Sequence, residues 1–217
     1  MLSLRLALAI AKGESWGGAF STPNAGASVL YLQLEDPKIM LHKRIKKMCG
    51  GDNPTPEDRQ TLKNLVVWSE HWLKLDSEAG LNVARHYLEK YRPDVLFIDP
   101  VYKILSGNML DAQSVMLLLD NLDRLVNEFG VSMVLTSHTR KGLYDDWGSD
   151  DMLGSVFFSA WADSVIKVER EDNSNNVLIK FEVIRHAENV LQPVSLVMDS
   201  ETLQFSPNGA IKEKVRD

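Results

Sequence analysis

The chain has 217 residues and a formal net charge of −6, with 44% hydrophobic and 25% charged residues. This is ordinary globular composition, sufficient for one α/β domain, and it excludes disorder and a uniformly basic nucleic-acid coat. The single cysteine, Cys49, excludes a disulfide framework and a cysteine zinc site within the chain.

The first predicted element is a helix over residues 2–12, with Leu2, Leu6, Ala9 and Ile10 on one face and Gly13 placed to end it. Arg5 interrupts its apolar run and Lys12 closes it, so the segment reads as a helix rather than a secretion signal. No apolar run reaches the length of a membrane span, and a reduced, cytoplasmic protein is expected. Residues 16–27 read as a loop. Residues 28–34 (SVLYLQL) form a strand that is apolar on both faces apart from Gln33, as a covered parallel sheet requires. Asp36 and Pro37 read as an N-cap followed by proline at the first helical position. The helix that follows carries Leu41, Ile45 and Met48 on one face. His42, Lys43, Arg44, Lys46 and Lys47 cover the rest, a solvated face in the first instance and a nucleic-acid approach in the second. Residues 50–60 read as a polar loop with two prolines.

A short strand is expected at 65–68, a helix at 78–91 and a buried strand at 94–99. The longest helix runs over 113–129, with Gly130 as its terminator, and leads to a buried strand at 131–137. A long loop over 138–153 and a short helix over 154–161 follow. Strands at 163–169, 177–185 and 194–198 come last, the first two as a hairpin. The fold class is α/β: a three-layer domain with a mostly parallel central sheet and a C-terminal antiparallel β extension, in a single domain over 1–217.

Three apolar strands end in chemically capable residues. Strand 28–34 runs into Glu35 and Asp36, strand 94–98 into Asp99, and strand 131–137 into His138. In an open parallel sheet the carboxyl ends of the strands line one edge, where ligands bind, so Glu35, Asp99 and His138 are expected to converge. Each has a plainer reading: a solvated carboxylate for Glu35, a turn cap before Pro100 for Asp99, a hydrogen-bonded histidine for His138. Together they make the parts of a phosphoryl-transfer site, with one carboxylate to hold magnesium, one to activate water and a polar residue to sense the terminal phosphate.

The segments SVLYLQLEDP, RPDVLFIDPVYKIL, EFGVSMVLTSHTRKG, LGSVFFSAWADSVIKVER and FEVIRHAENVLQPVSLVMD, in this order and spacing, resemble the RecA-like ATPases of the RepA type. These are AAA family ATPases related to hexameric replicative helicases. The resemblance implies that Glu35 is the catalytic glutamate that activates water. It implies that Asp99 is the Walker B aspartate, holding Mg²⁺ through water beside ATP, and that His138 is the strand-end sensor. It makes Arg185 an arginine that reaches the neighbouring subunit's nucleotide, against the plainer reading of a surface strand arginine, and Gly154–Ser155 the start of the helix after a mobile loop. It also implies a homo-oligomeric ring, a hexamer in the family, acting on DNA in replication or mobile-element maintenance. In the pore-facing loop, Arg140 and Lys141 suit DNA phosphates, whereas Asp145, Asp146, Asp150 and Asp151 would repel them. Trp147 reads as a packing residue or a base-stacking one.

One family element is absent. The sequence contains no GxxxxGK[ST] loop, whose backbone N–H groups and lysine cradle phosphates. By the resemblance, helix 2–12 is the one that directly follows that loop. Two expectations stand side by side: the chain begins inside a longer helicase-type ATPase, or it is a non-catalytic remnant serving assembly or partner binding. Weak or no hydrolysis is expected of the chain as written. A third, weaker expectation is a metal-dependent hydrolase using Glu35, Asp99 and His138 without ATP. A sheet without its first strand is expected to leave unpaired backbone unless its neighbours close up or another segment fills the gap.

Overall fold

The structure is a computed structural model that describes residues 1–22, 25–138, 153–171 and 174–208. In chain order the elements are α1 (Leu2–Lys12), β1 (Val29–Gln33), α2 (Lys38–Met48), α3 (Pro56–Asn64), β2 (Leu65–Trp68), α4 (Glu78–Tyr91) and β3 (Val95–Asp99). A short 3-10 turn, Val101–Ile104, precedes α5 (Ala112–Phe129) and β4 (Ser132–Leu135). Helix α6 (Leu153–Trp161) leads to β5 (Ser164–Arg170), β6 (Asn176–Ile184), β7 (Val194–Met198) and β8 (Phe205–Pro207).

The first four strands form a parallel sheet in the order β2-β1-β3-β4, and the last four an antiparallel sheet in the order β5-β6-β7-β8. Alternation along the parallel strands divides the core in two. Leu30, Leu32, Leu96 and Ile98 pack against Leu81, Ala84 and Leu88 of α4 and Val115, Leu118 and Leu122 of α5. Val29, Tyr31 and Phe97 point the other way, onto Leu4, Ala7, Leu8 and Ala11 of α1 and Leu41 and Met48 of α2. This is the expected three-layer arrangement, and it explains why β1 is apolar on both faces. Helix α1 also reaches the second sheet: Ala9 packs with Trp16, Ile179 and Leu196.

Three local readings need correction. Residues 50–60 are not all loop, because α3 begins at Pro56. Its start is a capping box: Thr55 accepts from the Asp58 backbone N–H and the Asp58 carboxylate accepts from the Thr55 backbone N–H. Asp36 does not cap α2. That role falls to Pro37, and the Asp36 carboxylate is instead held by the Arg44 guanidinium from within the helix. Strand β8, three residues long, has too short a pattern to stand out in the sequence. Among the described residues, β4 pairs only with β3 and β5 only with β6.

Asp58 does more than cap α3. Its Oδ1 accepts from Lys12 Nζ at 2.6 Å, tying the end of α1 to α3 in a nearly buried ion pair. Burial alone would raise the Asp58 pKa, but the hydrogen bonds from Lys12 and Thr55 outweigh it and hold the carboxyl below its usual value. A depressed folded-state pKa stabilises above the unfolded value, and that contribution is lost as pH falls through the folded one. Asp58→Asn is expected to cost about 2–4 kcal/mol at neutral pH, because Lys12 is left without its buried partner. In urea titrations the gap to the parent should close as pH drops below about 4. A gap that stays constant from neutral to acid pH would refute this account.

Candidate active site

The parallel register fixes the rim. Gln33 of β1 lies opposite Asp99 of β3, and Ile98 opposite Leu135 of β4, so the carboxyl ends of three strands finish together. Backbone bonds continue the pairing past the strand ends, from Leu34 N–H to Asp99 O at 2.9 Å and from Thr136 N–H to Ile98 O at 3.0 Å.

Gln33, the one polar residue of β1, shapes the turn that presents Glu35. Its buried Oε1 accepts the backbone N–H groups of Glu35 at 2.6 Å and Asp36 at 2.9 Å. Two otherwise orphaned donors are thereby satisfied as the strand ends. The Glu35 carboxylate stands clear of the core. Its Oε2 lies 3.3 Å from His138 Nε2, and its Oε1 accepts from the Tyr102 hydroxyl at 3.0 Å.

Asp99 sits deeper, on the α1 side of the sheet. Its Oδ1 accepts from Thr136 Oγ1 at 2.6 Å; its Oδ2 accepts from Ser3 Oγ at 2.8 Å and from the Tyr31 hydroxyl. Burial would raise the Asp99 pKa, but these three donors outweigh it and keep the group ionised. Burial, with the Asp99 charge beside it, pushes the Tyr31 phenol far above its usual value, so it stays a donor. The Met1 amine lies close by: burial holds its pKa below the usual value, with the Asp99 charge opposing it only in part. The start of α1, the positive end of its dipole, therefore faces this rim.

Glu35 and His138 are thus in contact, and Asp99 is bound to Thr136, two residues before His138. The convergence read from the strand ends is present. Arg185 is not part of it. Its Nε donates to Ala162 O at 3.0 Å and its Nη2 to Ala160 O, so the guanidinium closes the C-terminal end of α6. Arg140, Lys141 and Trp147 lie outside the described residues. Helix α6 begins at Leu153, with Gly154 and Ser155 in its first turn.

Four site residues escaped the sequence reading: Ser3, Tyr31, Thr136 and Tyr102. Tyr31 lies two residues before Gln33 on β1, so alternation placed it on the Asp99 side, and Thr136 follows the last residue of β4. Tyr102 and Ser3 carried no signal, because their positions depend on how the turn and α1 dock.

With both Asp99 oxygens engaged by protein hydroxyls, the residues fit a magnesium ion held through water rather than bound directly. Among the described residues, no group of three or more His, Cys, Asp or Glu gathers as a closed metal cage.

Comparison with known proteins follows the same lines. A family model described as "AAA domain" matches residues 1–143, which hold the whole parallel sheet and the rim. The chain belongs to the AAA domain family. No curated protein matches it. Among solved structures, one ATPase domain superposes with a TM-score of 0.61 at 15% identity, over 83% of this chain and 74% of that one. A DnaB-like replicative helicase, solved for its interactions with primase, superposes at 0.65 and 16% identity over 95% of this chain and 56% of its own. A KaiC-like protein, PH0186 from Pyrococcus horikoshii OT3, gives 0.57 at 14% identity over 85% and 77%. At these identities the likeness is one of fold: this AAA domain shares a RecA-like architecture with those structures. No described helix of it is long and apolar enough to cross a membrane.

Thr136→Val keeps the shape but leaves Asp99 Oδ1 without its donor. It is expected to destabilise by about 1–3 kcal/mol in chemical denaturation, the range for a buried charged acceptor that loses its partner. An unchanged midpoint would show that water replaces the hydroxyl freely.

Proposed function

We propose that this AAA domain carries the water-activating, magnesium-holding and sensing side of a helicase-type ATPase that works on DNA in a ring of like subunits. The observation that carries this reading is the joint placement of Glu35, Asp99 and His138 on one rim, with Asp99 kept ionised and Glu35 exposed. Such a division suits phosphoryl transfer, where catalysis is mostly positioning and charge stabilisation. ATP would bring the scissile phosphate and Mg²⁺ the positive charge beside it. Asp99 would orient the metal's water shell through its lone pairs. Glu35 would accept the proton of the attacking water. His138, touching Glu35, would relate the state of that carboxylate to Arg140 and Lys141, which are near it in sequence and are the proposed DNA contacts.

The sequence contains no GxxxxGK[ST] motif. A phosphate-binding loop ahead of α1 would open onto Asp99, since the start of α1 already faces the rim. A second reading of the same fold is a non-catalytic assembly module. Arg185, as an arginine acting in trans, would first have to release the end of α6. A hexameric ring and a cytoplasmic location belong to this proposal.

The two readings separate by experiment. Residues 1–217 alone are expected to show no turnover above background. The same chain with a GxxxxGK[ST] loop and its strand placed in frame before Met1 is expected to hydrolyse ATP in a magnesium-dependent way. Glu35→Ala in that form should retain nucleotide binding by calorimetry while turnover falls about a hundredfold or more, the scale of a lost general base. Full turnover in Glu35→Ala would reject the assigned base. A well-folded extended form with no turnover at all would favour the assembly module.

A further inference from the structure

Tyr102 stands on a well-anchored turn just beyond Asp99 and contacts Glu35. The 3-10 turn Val101–Ile104 follows Asp99 and Pro100, and its Val101 and Ile104 side chains are buried. The Val101 N–H donates to Thr136 O at 2.8 Å, so the residue that binds Asp99 through its hydroxyl also fixes the turn through its carbonyl. From the other side, the Leu75 N–H donates to Ile104 O at 2.8 Å. Lys74 Nζ donates to Lys103 O at 2.6 Å and Leu105 O at 3.0 Å. Three hydrogen bonds to the turn and one to Leu105 just after it therefore hold the segment from which Tyr102 projects. Tyr102 is 37% exposed, and its hydroxyl reaches Glu35 Oε1.

We propose that Tyr102 is a positioning residue for the Glu35 carboxylate, fixing it relative to Asp99; this rests on the ATPase reading above. An exposed glutamate has three rotatable bonds, and Glu35 is not held by the core. A hydroxyl donor on a rigid mount selects one rotamer and one carboxylate plane, while the lone pairs not facing Tyr102 or His138 remain for water. The tyrosine ring adds shape to the same place. Its centroid is 6.5 Å from that of His138, and Lys103 Nζ lies 5.2 Å from it. The two groups that touch Glu35 thus come from beyond the ends of β3 and β4, and a shift of either strand end is felt at the carboxylate.

The test uses the hydrolysis-competent form with four proteins: the parent, Tyr102→Phe, Glu35→Gln and the double variant. Tyr102→Phe is expected to lower kcat about tenfold, the scale on which loss of orientation acts, with KM for ATP within about twofold of the parent. Its unfolding midpoint should match the parent, since the hydroxyl is at the surface. In the Glu35→Gln background the same change is expected to alter the residual rate less than about twofold, because the carboxylate it orients is gone. An unchanged kcat in Tyr102→Phe, or an equal loss in both backgrounds, would overturn the proposal while leaving the ATPase reading intact. A parent without turnover would instead reject the ATPase reading, and the role of Tyr102 with it.

Discussion

The register of β1, β3 and β4 is the constraint on which everything else depends. In a parallel sheet a slip of one residue turns every side chain to the opposite face. Here such a slip would take Tyr31 and Phe97 off α1 and place Leu30, Leu32 and Ile98 on the wrong layer. The apolar residues of both faces thus lock the pairing, and the pairing in turn sets where the strands stop. Gln33 against Asp99 and Leu135 against Ile98 are the last rungs. The polar residues at or just past those rungs have only the rim to occupy. The site is a by-product of core packing in its placement, and a product of hydrogen bonding in its detail.

That division explains what could be read beforehand. Strand and helix positions were legible because burial on two faces leaves an unbroken apolar run, as in VLYL and VLFI, and because αL glycines such as Gly13 and Gly130 mark helix ends. Glu35, Asp99 and His138 were legible because the strands' direction places their ends together. What could not be read were contacts made between elements. Asp36 looked like a cap because the dipeptide with Pro37 is the usual signal. In fact a long arginine further along α2 competes for it and wins through charge. The start of α3 hid inside a stretch rich in proline and acidic residues, though Thr55 and Asp58 have the spacing of a capping box. Tyr102 and Ser3 owe their roles to the docking of a turn and a helix, which no periodicity encodes.

Two polar residues each serve two partners. Gln33 offers one amide oxygen to two backbone donors, so the chain can leave the sheet without an unsatisfied group. Thr136 gives its hydroxyl hydrogen to Asp99 and its carbonyl to Val101, so one residue links β4 to both the acid of β3 and the turn beyond it. Asp99 is consequently not a loose ligand awaiting a partner. It is an ionised group already solvated by protein hydroxyls, and this is why the rim keeps its negative charge without collapsing onto it. Helix α1 contributes through Ser3 while its other faces hold Tyr31, Phe97 and Ile179, so the helix that bears on the acid also bears on both sheets.

Among the described residues β4 pairs only with β3 and β5 only with β6, which has a practical consequence for handling the protein. The edge of a sheet is where a second molecule can add, the usual route to concentration-dependent precipitation. β4 is short, which limits how much it can template. β5 is seven residues long and half-exposes Ile166 and Val168, but alternates them with the charged Lys167, Glu169 and Arg170. Those charges act as gatekeepers, and preparations at high ionic strength, where they are screened, will be the ones that lose material to aggregates.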